Sequence, residues 1–137
     1  MANNKLYDQI KTIFKKEPEI LTAYVIGSTV TKKTTAESDF DLVVVVRNKR
    51  IMDSNKVYEL VKHLNFPKDL DLSTVDKTSS PIFLFQIITK GELIYEKSRR
   101  DKNNFEAFTI HNYYDTAYIR NTYNKFLKDK LAPYANW

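Results

Sequence analysis

The chain contains no cysteine, which excludes disulfides and thiolate zinc sites and fits a reducing, cytoplasmic setting. It has only two glycines in 137 residues. Neither sits in a Gly-x-Ser-x-Gly elbow, a Walker phosphate loop or a dinucleotide fingerprint, so serine-hydrolase, P-loop and Rossmann readings have nothing to rest on. No run of about 18 apolar residues and no basic-then-apolar leader is found, so neither a membrane span nor a secretory signal is expected. The two histidines, His63 and His111, have no cysteine or carboxylate at zinc-ligand spacing and read as surface or packing residues.

What is present describes a globular protein: 42% hydrophobic and 13% aromatic residues, at a length that suits a single domain over 1–137. The formal net charge of +5 points to an anionic partner such as a nucleotide, a nucleic acid or an acidic protein surface. The cations lie in short clusters at Lys15-Lys16, Lys32-Lys33, Arg47 to Arg50 and Arg99-Arg100, and most read as solvated surface. Basic and aromatic residues are rarely interleaved, which disfavours a nucleic-acid-binding module.

Leu6, Ile10, Ile13 and Phe14 recur at helical spacing and predict an amphipathic helix over about 4–16, ended by Glu17-Pro18-Glu19. Residues 21–27 predict a strand. The run Val43-Val44-Val45-Val46 predicts a second strand over 39–47, covered on both faces and central in its sheet. Asp53-Ser54 begins a helix with a Val57, Leu60, Val61, Leu64 stripe, and Leu70, Leu72 and Val75 alternate with Asp69, Asp71 and Ser73 as a third strand. Ser80-Pro81 through Gly91 predicts a short buried helix, with a strand as the alternative, and Glu92 to Glu96 a further strand. A long helix follows from about 100 to 131. On it Phe105, Phe108, Ile119, Tyr123, Phe126, Leu127 and Leu131 form one apolar side, expected to face the core. Ile110, Tyr113, Tyr114, Ala117 and Tyr118 form an opposite side with the composition of an interface.

The stretch Gly27-Ser28, ten residues, then Asp39-Phe40-Asp41 organises the rest. Side chains two apart on a strand share a face, so Asp39 and Asp41 project together. Two adjacent carboxylates repel unless a cation lies between them, and hard oxygen ligands of this kind suit Mg²⁺. A third ligand is available from either Asp69 or Asp71, which fall on one face of the third strand. Gly27 and Ser28 would grip phosphates, with Lys32 inside the same loop.

This pattern resembles the signature of the DNA polymerase β-like nucleotidyltransferases. The short chain further resembles the minimal nucleotidyltransferases (MNT) that accompany HEPN proteins in toxin–antitoxin pairs. The later Asp-bearing strand, the Pro-started apolar helix, the Gly91-Glu92-Leu93-Ile94-Tyr95-Glu96 strand and the Tyr-rich terminal helix follow in the family's order. The segment Thr29 to Thr34 departs from the family by carrying no second glycine.

The resemblance implies an α+β (α/β) fold, a small mixed sheet flanked by helices with a long C-terminal helix. It implies Asp39, Asp41 and Asp71 as catalytic and metal-binding residues, and favours Asp71 over Asp69. It also implies Gly27, Ser28 and Lys32 as nucleotide-binding residues, two Mg²⁺ ions, ATP as substrate, and transfer of AMP to a tyrosine of a HEPN ribonuclease toxin. Two other readings remain: a transferase acting on a small molecule such as an aminoglycoside, and a non-catalytic antitoxin that masks its partner. The partner on the terminal helix is expected to be a HEPN protein or a second copy of the chain.

Overall fold

The computed structural model describes residues 2–26 and 39–132. Its centre is a four-stranded sheet built from β1 (Ile20–Ile26), β2 (Phe40–Val46), β3 (Leu70–Val75) and β4 (Glu92–Glu96), in the order β3-β2-β1-β4. β2 and β3 run parallel, while β1 is antiparallel to both β2 and β4. The sheet is therefore mixed and β2 is central, as its unbroken valine run implies.

Helices cover both faces. On one face, α1 (Ala2–Phe14) and α2 (Ser54–Val61) lay Leu6, Ile10, Phe14, Val57 and Val61 against Phe40, Leu42, Val44 and Val46. On the other, α3 (Pro81–Lys90) and α4 (Arg99–Leu131) lay Leu84, Ile87 and Phe105 against Tyr24, Val43 and Val45. The alternation of β2 side chains between the two cores follows from the two-residue repeat of a strand.

Local signals begin the helices. The Asp53 carboxylate accepts from the Lys56 N–H at 2.9 Å, Ser80 precedes Pro81 at the first helical position, and the Ser98 hydroxyl accepts from the Asp101 N–H at 3.0 Å. The apolar stretch after Pro81 is thus a helix and not the alternative strand. Helix α2 stops at Val61, one turn before the end of its apolar stripe, and Leu64 packs on the core from beyond it. Gly91 ends α3 in an extended conformation, with φ −83°. It is glycine for lack of room, because a Cβ would run into the Ile87 carbonyl oxygen and come within 2.9 Å of the Ile26 side chain.

The expectation for α4 needs a correction. Phe105 and Phe108 do pack on the sheet, but Ile119, Tyr123, Phe126 and Leu131 on the same stripe are more than half exposed. Length explains this: the 33 residues of α4 span about 50 Å, against about 23 Å for a seven-residue strand. Helix α4 outruns the sheet, and its distal half has no core beneath it. Tyr114 and Tyr118 are exposed, while Tyr113 stacks on Phe85 of α3 at 3.9 Å between ring centres with Arg120 over its ring.

Asp76, just after β3, is buried yet fully employed. Its carboxylate accepts from the backbone N–H of Lys49 (3.0 Å) and Thr78 (2.8 Å) and from the Thr78 hydroxyl (2.6 Å). Burial works to raise its pKa, but these donors outweigh it and hold the carboxyl below its ordinary range.

Two outcomes are expected. Phe105→Ala should destabilise the chain by about 3–5 kcal/mol in a denaturant melt, whereas Tyr114→Ala with Tyr118→Ala, which removes only edge-on contacts of Tyr114 with Phe85 and Tyr113, should leave its melting temperature nearly unchanged. Asp76→Ala should lose about 1–3 kcal/mol at pH 7 by orphaning buried N–H groups. Because the folded carboxyl titrates below its unfolded value near about 3.9, its contribution is complete above that pH and disappears as pH falls through the folded value. Melts of wild type and Asp76→Ala should therefore converge in acid.

Candidate active site

The parallel register of β2 and β3 pairs Phe40 with Leu70, Asp41 with Asp71 and Leu42 with Leu72. The Phe40 N–H donates to the Asp69 carbonyl at 2.8 Å, which ties the two strand entrances together. Phe40 itself is fully buried, its ring 5.3 Å from that of Phe66 and 6.5 Å from that of Tyr7. That anchoring fixes which way its neighbours point. With Phe40 and Leu42 turned into the core beneath α1 and α2, Asp41 must project from the opposite face, and Asp71 projects beside it.

On that face Val43 and Val45 are covered by α3 and α4, but Asp41 stands at the strand entrance and is only half-buried. Asp39 and Asp71 are exposed. Burial first, then a hydrogen bond shared with the Asp71 carboxyl, then the negative charges of Asp71 and Asp39, hold the Asp41 carboxyl above its ordinary range. All these influences disfavour the ionised form, and all are relieved by a cation between the carboxylates. The donor set consists of hard oxygens alone, as Mg²⁺ requires. The residues fit such an ion, although among the described residues no group of three His, Cys, Asp or Glu side chains is drawn close enough to enclose one.

Asp69 lies one residue before β3, exposed, with its carbonyl engaged by Phe40. Register thus separates two aspartates that spacing left equivalent: Asp71 faces Asp41 across the ladder and Asp69 precedes it. On the other side of Asp41, its β1 partner is Ile26, immediately before the Gly27-Ser28 pair. Gly27, Ser28 and Lys32 lie outside the described residues.

A second polar cluster escaped the sequence reading. The Tyr24 hydroxyl, on β1 beneath α4, donates to Glu106 at 2.8 Å, and Lys102 lies 3.2 Å from the same carboxylate. Burial first, then the Glu106 carboxylate, push the Tyr24 phenol well above its ordinary range. Tyr24 falls within the strand expected over 21–27. Nothing local in the sequence identified its partner 82 residues away.

Comparison with known proteins agrees with this geometry. Residues 8–100 match the family described as Polymerase beta, Nucleotidyltransferase. Over 107 residues, 77% of the chain, it is 31% identical to Poly(A) RNA polymerase protein 1 of Saccharomyces cerevisiae, of whose length it spans 16%. Among solved structures, a chain of a toxin–antitoxin complex with AMP-PNP superposes with a TM-score of 0.64 at 20% identity, covering 88% of this chain and 97% of that one. A chain from a complex of a tri-AMPylated Shewanella oneidensis HEPN toxin with an MNT antitoxin gives 0.58 at 18% identity, covering 91% and 94%. The matched segment holds the whole sheet and the paired aspartates, and the chain belongs to the polymerase beta nucleotidyltransferase family.

Proposed function

We propose that this chain is a Mg²⁺-dependent nucleotidyltransferase that moves AMP from ATP onto a tyrosine of a HEPN ribonuclease toxin, acting as its antitoxin. The observation that carries the reading is the pairing of Asp41 with Asp71 across β2 and β3 in a member of this family. The acceptor is suggested by likeness of fold to chains of toxin–antitoxin complexes, one described as containing a tri-AMPylated HEPN toxin.

Asp39, Asp41 and Asp71 would hold the metal, with two ions expected. Bound there, Mg²⁺ would neutralise charge on the triphosphate and on the departing pyrophosphate. Asp71, exposed at the edge of the pair, would take the proton of the acceptor hydroxyl as its oxygen displaces pyrophosphate at the α-phosphorus. Gly27 and Ser28 would bind the phosphates, with Lys32 adding a positive charge. The exposed apolar surface of distal α4, with Tyr114 and Tyr118, supplies the anchors that a protein acceptor would dock against. No described helix is long and apolar enough to cross a membrane, and we place this activity in the cytoplasm.

Two measurements test the reading. Asp39→Asn with Asp41→Asn should lower transfer of label from α-labelled ATP to a co-expressed HEPN partner by about 10²-fold or more. The same variant should melt higher than wild type without metal at neutral pH, because the repulsion is gone, and should lose the stabilisation that Mg²⁺ gives wild type. Labelling at the wild-type rate would refute the metal assignment. For the third carboxylate, Asp71→Asn should lower the rate by about 10²- to 10⁴-fold and Asp69→Asn far less. The reverse ranking in single-turnover assays would move the proton acceptor to Asp69.

A further inference from the structure

Three of the four basic clusters, far apart along the chain, meet at one end of the sheet. The backbone N–H of Arg47, just past β2, donates to the Glu19 carbonyl at 2.9 Å, and its Nε donates to the Pro18 carbonyl at 3.2 Å. Those acceptors lie two and three residues after Lys16, in the turn that follows α1. On its other side the Arg47 guanidinium lies 3.9 Å from Asp101 in the first turn of α4, beside Arg99-Arg100. Lys77, in the turn after β3, joins Arg47 in lining a cavity of about 270 Å³ whose walls include Val46, Asn104 and Phe105. Arg47 stands six positions beyond Asp41 along β2, a distance of roughly 20 Å.

The acids here are partly engaged, although Glu19 and Glu96 each keep a buried carboxylate oxygen without a hydrogen-bond partner among the described residues. Glu96 lies 3.2 Å from Arg99, Asp101 pairs with Arg47, and the Asp76 carboxylate is taken up by N–H groups of Lys49 and Thr78. Glu17 and Glu19 are half-buried in the turn before β1. Lys15, Lys16, Arg50, Lys77 and Arg100 are exposed and form no ion pair among the described residues. Cations gathered in this way raise one another's energy until an anion joins them.

The composition of this end distinguishes between polyanions. An acidic protein would need aromatic or aliphatic anchors, but the exposed Tyr114, Tyr118, Ile119, Tyr123 and Phe126 all lie on distal α4, and only Ile51 follows the Arg47–Arg50 loop. A phosphodiester backbone needs chiefly cations and N–H donors. The cavity between Arg47 and Lys77, also lined by Asp101, Asn104 and the largely buried Phe105, has room for an unstacked base, which a duplex does not offer. The folding together of three basic clusters reverses the expectation drawn from the sequence, in which basic and aromatic residues are rarely interleaved, and we infer that this end of the sheet is a second binding surface, for single-stranded nucleic acid, separate from the paired aspartates. The inference is independent of the proposed transfer reaction.

Fluorescence anisotropy with a labelled single-stranded oligonucleotide of about 12 nucleotides, as RNA and as DNA, across a KCl series tests it. Arg50→Glu, Lys77→Glu and Arg100→Glu together should weaken binding at least about 10-fold and flatten the slope of log K against log[KCl] by about 2, three lost phosphate contacts at about 0.7 each. Lys5→Glu, Lys11→Glu and Lys62→Glu together, on α1 and beside α2, make the same change in net charge and should alter binding less than about threefold. Thermal melts of both triple variants check that the fold is retained. Tighter binding of RNA or of DNA identifies the natural form, and either supports the surface. Equal loss in the two variants would reduce the effect to net charge. Competition by polyglutamate as strong as by oligonucleotide would assign the surface to an acidic protein, and no binding in low salt would remove it; each of these overturns the inference.

Discussion

The parallel pairing of β2 with β3 is the constraint on which the rest depends. A shift of one residue would turn Asp71 away from Asp41 and bring Leu70 or Leu72 to that face, because successive side chains alternate. The register is held from the buried side. Phe40 fills a pocket between Phe66 and Tyr7, while Leu42, Val44 and Val46 continue into the same core. Hydrophobic burial on one face thus sets the electrostatics of the other, where the carboxyl groups of Asp41 and Asp71 meet at the start of their strands.

The sheet has two chemically opposite ends. Its acidic end lies where β2 and β3 begin, and its basic end lies where β2 gives way to Arg47 and α4 begins. Helix α4 starts at the basic end, passes Tyr24, and continues far beyond the strands it covers. That excess of length converts what would be a core stripe into exposed surface. An exposed row of large apolar groups is unfavourable in an isolated chain, and it is the feature of this molecule that most needs a partner.

Much of the architecture was legible in the sequence because it follows from local rules. The valine run of β2, the Ser80-Pro81 start of α3 and the stripe of α1 each carry a periodicity or a cap that needs no distant contact. Strand alternation suggested that Asp39 and Asp41 share a face, but Asp39 lies just before β2, and the carboxylates that the register brings together are Asp41 and Asp71. The fate of Ile119, Tyr123, Phe126 and Leu131 was not legible, because helical periodicity reports which residues share a side and not whether a sheet lies beneath that side.

The sequence by itself determined the elements, the central place of β2 and the aspartate Asp41 it carries, with Asp39 just before the strand, all consequences of patterns within a few residues. Only the tertiary structure decided which of Asp69 and Asp71 faces Asp41, that Asp76 caps a turn from a buried position, and that three separate basic clusters share one end of the molecule. Each of these depends on register or on contacts between residues tens of positions apart, and neither propensity nor periodicity encodes those pairings until a hydrophobic core has brought the strands together.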